Sequence, residues 1–185
     1  MQVKRFVLLL VILSISGLFN DATAQKKLID REYDFGVVAA YWLSGDVSVD
    51  GFDVEKDGSF MLRAFADAYL MPKFAMGGYF NYIPYSSGGA AFTGIEFGGA
   101  LKGRFLVNPD FAIKPGINFG YRMISSNVTE DIEGLGINLS VEFQKQLETF
   151  IASGEIGFLS QPSGGNEDVT VEFAPIFYLG AGITF

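Results

Sequence analysis

Apolar and polar residues alternate one by one through most of this chain, in eight separate segments. The alternation has a period of two, which is the period of a β-strand and not of a helix. The segments cover residues 33–43, 60–70, 74–85, 92–107, 111–123, 135–144, 150–159 and 170–185. Because no segment has a convincing helical period, the pattern predicts an all-β fold.

The connections between these segments alternate in length. Three are tight, at residues 71–73, 108–110 and 147–149, and four are longer and polar, at residues 44–58, 86–90, 125–134 and 160–169. Short turns on one side and long loops on the other are typical of an up-and-down antiparallel barrel. We therefore predict an eight-stranded antiparallel β-barrel over residues 33–185.

The alternation alone does not say whether the apolar face points into the barrel or out of it. Three features favour an outward apolar face. The segments are about as long as strands that cross a bilayer, and aromatic residues recur near their ends, as in the girdles of membrane barrels. Glycine, with 23 copies, is frequent on the polar faces and suits the narrow lumen of a small barrel. A soluble periplasmic barrel that carries lipid inside is the alternative.

The N-terminus has the features of a secretory signal peptide. Two basic residues precede an apolar stretch at residues 6–18, and the Ala-Thr-Ala at residues 22–24 is a small-x-small cleavage site. We expect residues 1–24 to be removed on export and residues 25–32 to form a short periplasmic segment. A membrane anchor at the N-terminus is the alternative.

The last predicted strand ends on an aromatic residue. Its final eight residues read Tyr-Leu-Gly-Ala-Gly-Ile-Thr-Phe, and its apolar face carries Phe177, Leu179, Ile183 and Phe185. With the eight segments and their connections, this strand resembles the C-terminal strand of the small OmpA/OmpX-type outer-membrane β-barrel family. The resemblance implies a Gram-negative outer-membrane protein in contact with lipid and lipopolysaccharide. It also implies that the barrel-assembly machinery recognises the last strand.

The predicted inward faces carry charges of both signs. The acids are Asp67, Glu96, Glu142, Glu155 and Glu172, and the bases are Arg63, Lys102, Arg104, Lys114 and Arg122. Five acids against five bases predict a network of ion pairs that plugs the lumen, because unpaired charges in so narrow a space are costly. A narrow, gated ion path through the same charges, as in a small porin-like channel, is the alternative.

Composition weighs against catalysis and against nucleic acid. The chain contains no histidine and no cysteine, which excludes thiolate metal sites, a cysteine nucleophile and a serine–histidine pair. We therefore predict no enzyme activity, no catalytic residues, no metal site and no cofactor. The formal net charge of −8 makes nucleic acid a poor partner, because affinity for phosphate comes from basic side chains.

The long acidic loops are the predicted surface for a partner. The first loop holds a hairpin signal, an Asp-Gly dipeptide between alternating apolar residues. Its residues are Val47, Val49, Asp50, Gly51, Phe52 and Val54. We predict a two-stranded ribbon that projects beyond the membrane and offers an exposed edge to a partner strand, as in adhesion or surface recognition. The simpler alternative is that the acidic loops only keep this end of the barrel solvated.

Two prolines lie inside predicted strands, Pro115 and Pro175. In a closed barrel every strand is paired on both sides, so the missing backbone N–H of a proline always removes a possible ladder hydrogen bond. Each proline is therefore expected to mark a bulge or a gap in the strand ladder.

Overall fold

The computed structural model describes residues 28–43, 47–54, 56–57, 59–87, 89–127, 130–162, 164–165 and 170–185. The predicted signal peptide, residues 1–24, lies outside them, as does the first part of the predicted periplasmic segment. Within the described residues, no helix is both long enough and apolar enough to cross a membrane.

Eight long antiparallel strands close into a barrel. In chain order they are β1 (Tyr33–Trp42), β2 (Phe60–Met71), β3 (Phe74–Ser87), β4 (Ala90–Gly103), β5 (Phe111–Ser126), β6 (Ile132–Gln146), β7 (Ile151–Ser160) and β8 (Ile176–Thr184). Each strand pairs with its neighbours in this order, and β8 pairs with β1. The predicted all-β, eight-stranded up-and-down barrel is confirmed.

The barrel has a turn end and a loop end. At the turn end, residues 72–73 join β2 to β3, residues 147–150 join β6 to β7, and the short strand Phe105–Asn108 leads from β4 towards β5. A single 3₁₀ turn, Leu28–Asp30, precedes β1 at the same end. The longer connections lie at the opposite end, which we call the loop end.

Side chains alternate between the lumen and the outside along the long strands. In β1 every second residue is buried and every other one is exposed. The outward positions carry large exposed apolar side chains. They include Tyr33, Phe35, Val37, Tyr41, Phe60, Leu62, Phe80, Phe97, Phe119, Leu139, Phe177 and Leu179. The apolar face therefore points outward, which is the reverse of the polarity that a soluble lipid carrier needs.

Pro115 and Pro175 each lie at a break in the ladder. Lys102 pairs with Gly116 and Phe105 pairs with Ile113 in one continuous register, but the two intervening positions of the two strands do not pair with each other. Pro115 occupies one of these positions, where it has no N–H to donate. Pro175 lies in the interruption between the short strand Thr170–Phe173 and β8. Both prolines thus mark gaps, as predicted.

The break at Pro175 corrects one predicted luminal residue. Before the break, Val171 and Phe173 are buried, whereas after it Ile176 and Tyr178 are buried. The buried residues are odd-numbered before the break and even-numbered after it. The predicted single strand over residues 170–185 is therefore two strands, which do not share one inward-facing set of residues. Glu172 consequently is exposed and lies outside the lumen.

A second sheet of four short strands lies at the loop end. In order across the sheet, its strands are Gly164–Gly165, Thr170–Phe173, Val47–Val49 and Phe52–Val54. We call it the cap sheet. It keeps the register of β1 and β8, because Trp42 pairs with Tyr178 and, beyond the break, Val47 pairs with Phe173. Val47 and Phe173 are buried against the barrel interior, so the cap sheet folds over the barrel mouth.

The predicted ribbon is present as a hairpin but does not stand free. Asp50 and Gly51 have φ values of 53° and 79°, as the two-residue turn of a hairpin requires. The strand Val47–Val49, however, pairs on its other side with Thr170–Phe173. The prediction of a projecting ribbon is therefore corrected. The hairpin forms half of the cap sheet, and its edge without a partner among the described strands is Phe52–Val54.

Candidate functional site

Buried side chains fill the lumen in layers. Nine of the ten predicted luminal charges are buried there. They are Arg63, Asp67, Glu96, Lys102, Arg104, Lys114, Arg122, Glu142 and Glu155. Asp34, which the sequence analysis did not select, is also buried in the lumen. Because Asp34 takes the place of Glu172, five acids still face five bases.

The central ion group begins with Arg63 on β2. Its Nη1 donates to Glu155 Oε1 at 2.6 Å, its Nη2 to the Tyr178 hydroxyl at 3.1 Å and its Nε to Asn81 Oδ1 at 3.0 Å. The Tyr178 hydroxyl in turn donates to Glu155 at 2.5 Å. Glu155 lies on β7, which β8 and β1 separate from β2, so these bonds connect strands that are not neighbours in the wall.

A second pair completes the central ion group. Arg122 on β5 contacts the Glu96 carboxylate on β4, and Tyr79 on β3 donates its hydroxyl proton to the same carboxylate. Arg122 also donates to the backbone carbonyl of Ser160 on β7 at 3.2 Å. The central ion group therefore draws its members from strands around most of the barrel.

Lys114 on β5 organises a second set of charges, the turn-side ion group. Its Nζ lies 2.8 Å from Asp34 Oδ2, 3.5 Å from Asp67 Oδ2 and 3.9 Å from Glu142 Oε2. Asp67 also accepts a hydrogen bond from Lys102 at 2.7 Å. The Lys114 side chain is fully buried, so three carboxylates surround one ammonium group that water does not reach.

The segment before β1 closes the turn end. Leu28 is buried together with Ala112 and Ile151. Arg104 donates to the backbone carbonyl of Leu28 and, at 2.9 Å, to that of Pro72. An apolar side chain and a buried guanidinium group thus hold the 3₁₀ turn in the base of the barrel.

Apolar side chains close the loop end. We call this group the mouth cluster. Its barrel members are Ala40, Trp42, Met61, Ile83, Phe92, Ile124, Ile132, Leu159, Ile176 and Tyr178. Residues Val47, Val171 and Phe173 of the cap sheet pack on it, and the rings of Phe92 and Phe173 meet edge to face with centroids 6.0 Å apart. The cap sheet and the mouth cluster together form an apolar closure.

Replacing Gly157 by alanine is expected to destabilise the barrel, because a Cβ there would overlap the ring of Tyr178. Moving the ring would disturb the hydrogen bonds from Tyr178 to Glu155 and from Arg63 to Tyr178, and overpacking of this kind costs about 1–3 kcal/mol. Denaturant unfolding in lipid vesicles measures the loss. Gly154→Ala on the same strand is the matched control, because no atom lies within 4 Å of the added Cβ. Equal effects of the two variants would contradict this packing argument.

The luminal carboxylates are engaged by cations, amides and hydroxyl groups. Glu142, for example, accepts a hydrogen bond from Gln144 at 3.0 Å and faces Lys114. Among the described residues, no group of three or more acidic side chains is placed to hold a metal ion. The arrangement suits electrostatic cross-linking of the wall, because each buried acid has a buried partner that offsets its desolvation.

The residues predicted as an assembly signal lie at the outside of the seam between β8 and β1. Phe177, Leu179 and Ile183 are exposed on the outer wall. Phe185 exchanges two backbone hydrogen bonds with Phe35, of 3.2 Å and 2.8 Å. The last residue of the chain thus takes part in closing the barrel.

No protein-family model and no curated protein matches the chain, but solved structures do. The crystal structure of Neisserial surface protein A, NspA, aligns with a TM-score of 0.59 at 13% identity, over 83% of this chain and 96% of that one. The outer membrane protein OprG from Pseudomonas aeruginosa aligns with a TM-score of 0.51 at 14% identity, over 83% and 94%. The outer membrane enzyme PagL aligns with a TM-score of 0.47 at 8% identity, over 80% and 97%.

At these identities the likeness concerns the fold. This chain has the fold of the small eight-stranded outer-membrane barrels, and the predicted resemblance is confirmed at that level.

Proposed function

We propose that this protein is a non-enzymatic outer-membrane barrel with a closed lumen, acting in envelope structure or in contacts made at its loop end. The observation that carries the proposal is the filling of the lumen from end to end. The mouth cluster, the central ion group, the turn-side ion group and the buried Leu28 follow one another along the barrel. In the part of the chain that the structure describes, these layers fill the lumen in turn, which supports the proposal of a closed barrel.

The outer wall supports a place in the membrane. Its exposed surface is built from large apolar side chains, including aromatic residues such as Tyr33 and Tyr41 near the two ends of β1. Outward apolar bands with aromatic girdles are typical of outer-membrane barrels. The proposal therefore includes lipid and lipopolysaccharide as the surroundings of the wall.

Export and assembly complete this proposal. The signal peptide at residues 1–24 would direct export, and the barrel-assembly machinery would recognise β8. Phe177, Leu179 and Ile183 form an exposed apolar face on β8, which supports that role. The loop end would then face the outside of the cell.

A small channel is the second candidate function. It is favoured by buried polar groups that have no hydrogen-bond partner among the described residues, such as the Asn118 side-chain amide and the Ser153 hydroxyl. Groups of this kind are suited to ordered water. The two apolar closures argue against a continuous path, because an ion would have to pass both of them.

Planar-bilayer recording separates the two candidates. We expect the purified barrel to give no reproducible conductance steps, because the mouth cluster and Leu28 seal the two ends. A general porin recorded in the same bilayers shows that channels are detected, and a heat-dependent mobility shift on a denaturing gel shows that the barrel is folded. Stable, reproducible steps from the folded protein would establish the channel and overturn the closed barrel.

A further inference from the structure

One edge of the cap sheet, the strand Phe52–Val54, is a surface that the closed barrel does not use. Phe52–Val54 pairs with Val47–Val49 on one side, and no described strand pairs with its other side. Phe52 is 76% exposed, the highest value among the exposed large apolar residues of the described chain. An exposed strand edge beside an exposed aromatic ring is a pairing surface for an extended chain.

The register identifies the backbone groups that are free at this edge. Val49 and Phe52 flank the two-residue turn and therefore form a hydrogen-bonded pair. Ser48 and Asp53 form the next pair, which is of the non-hydrogen-bonded type. The N–H and C=O of Asp53 consequently point away from the sheet, and an added strand would find a donor and an acceptor there.

The underside of the edge is apolar. Phe52 lies opposite Val49, and Val49 lies opposite Val171, so the three side chains share the face that covers the barrel mouth. Val171 is fully buried, whereas Phe52 extends past the covered area. An added strand would therefore meet an apolar surface at the position beside Phe52.

The outer face of the edge is acidic. Asp53 lies in a row with Ser48 and Glu172, because Glu172 pairs with Ser48 and Ser48 pairs with Asp53. Asp50 at the turn is exposed as well. A strand beside Asp53 would place a side chain directly opposite this carboxylate, where opposite charges are favourable and like charges are not.

Three of the long connections are acidic in sequence. Residues 44–58, 125–134 and 160–173 contain five, three and three acidic residues, against the single base Lys56. Together with the exposed Asp50, Asp53 and Glu172, this composition favours a cationic partner. It also opposes pairing between two copies of the same edge, because each copy would bring its own acids.

We propose that Phe52–Val54 binds an extended cationic segment of a partner protein as an added strand. A lysine or arginine of the partner lies opposite Asp53, and the residues on either side of it are apolar and lie beside Phe52 and Val54. This inference rests on the proposed function, since it needs the loop end to be accessible outside the cell.

Synthetic ten-residue peptides test the proposal with the full barrel in lipid nanodiscs. One alternates valine and lysine, the second alternates valine and glutamate, and fluorescence anisotropy measures their binding. We expect the basic peptide to bind at least tenfold more tightly than the acidic one. Asp53→Lys should reverse this preference, and Phe52→Ala should weaken the basic peptide several-fold. A basic peptide N-methylated at alternate residues should lose binding, because strand addition needs its backbone N–H groups.

Asp131→Lys is the matched control. Asp131 is an exposed acid of another long loop, so this variant changes the charge of the loop end by the same amount without altering the edge. It should retain the preference for the basic peptide. If Asp131→Lys weakened binding as much as Asp53→Lys, or if N-methylation had no effect, general charge attraction would replace strand addition. These peptide outcomes test strand addition and do not affect the result expected from bilayer recording. Conductance steps in the bilayer would overturn the closed barrel but would not change the peptide result.

Discussion

Replacing Lys114 by methionine is expected to lower the free energy of unfolding by about 3–5 kcal/mol, the usual cost of removing one partner of a buried ion pair. Methionine keeps most of the apolar stem but removes the ammonium group. All three carboxylates then lose the cation that lies 2.8–3.9 Å from their oxygens. Asp34 keeps Arg31 and Asp67 keeps Lys102, each at 2.7 Å, so Glu142 is the acid left without a near cation. Urea unfolding in lipid vesicles measures the loss. The emission of Trp42, the single tryptophan, reports it because this side chain is buried in the mouth cluster.

An exposed pair provides the control for Lys114. Lys145 lies 3.8 Å from Asp110, and both side chains are more than half exposed. Lys145→Met should therefore change stability by no more than about 1 kcal/mol. Adding Glu142→Gln to Lys114→Met should recover part of the loss, because it removes one stranded carboxylate. A Lys114→Met variant as stable as Lys145→Met would show that the turn-side ion group does not hold the wall together.

The second large effect is expected at Arg63. Arg63→Met leaves the Glu155 carboxylate buried with only the Tyr178 hydroxyl and more distant groups, and we expect a loss of about 3–5 kcal/mol. Glu155→Leu should be similarly costly, because it strands the guanidinium group. The double variant should be far less destabilised than the sum of the two, since neither charge is then left unpaired.

A double-mutant cycle gives the interaction directly. The same urea unfolding measurement on the wild type, both single variants and the double variant yields the coupling free energy. We expect coupling well above the roughly 0.5 kcal/mol within which independent sites add. Additivity within that limit would mean that the 2.6 Å contact contributes nothing specific to stability.

Much of the barrel could be predicted because strand alternation is a local property. Lys114 and Glu142, for example, each lie between two apolar residues. Because the side chains of those neighbours point outward, the charged side chain between them points into the lumen. The balance of charges supported the same assignment. Pairing between Arg63 and Glu155 could not be predicted, because it depends on the way the strands are arranged around the barrel.

Two luminal residues differ from the prediction, and only Glu172 differs for a physical reason. Asp34 alternates with the outward Tyr33 and Phe35, so the alternation that predicts the other luminal charges applies to it as well. Glu172 is predicted in the lumen only if the alternation of β8 continues without interruption through Pro175. The break at Pro175 changes the parity, so Glu172 points outward. Packing of the cap sheet on the mouth cluster decides which side chains are buried beyond such a break. That contact joins residues that are remote in sequence.

The mouth cluster also escaped the sequence analysis. Its members lie on the inward face near the loop ends, where residues such as Ile83 and Ile124 replace the charges and glycines found deeper in the lumen. Apolar residues on both faces weaken the alternation at those strand ends. The cap sheet that covers them joins two loops more than a hundred residues apart, so no local pattern contains it.

The ion pairs of the lumen bear on the order of events in folding. Arg63 and Glu155 are 92 residues apart and Lys114 and Asp34 are 80 apart, so neither pair can form from a local hairpin. Until β8 meets β1, a partly assembled sheet holds these charges unpaired at the edge of an apolar medium, where they are costly. Half-built barrels are therefore high in free energy, and we expect closure to occur as one cooperative step, late in assembly, that is slow because its contacts are remote in sequence.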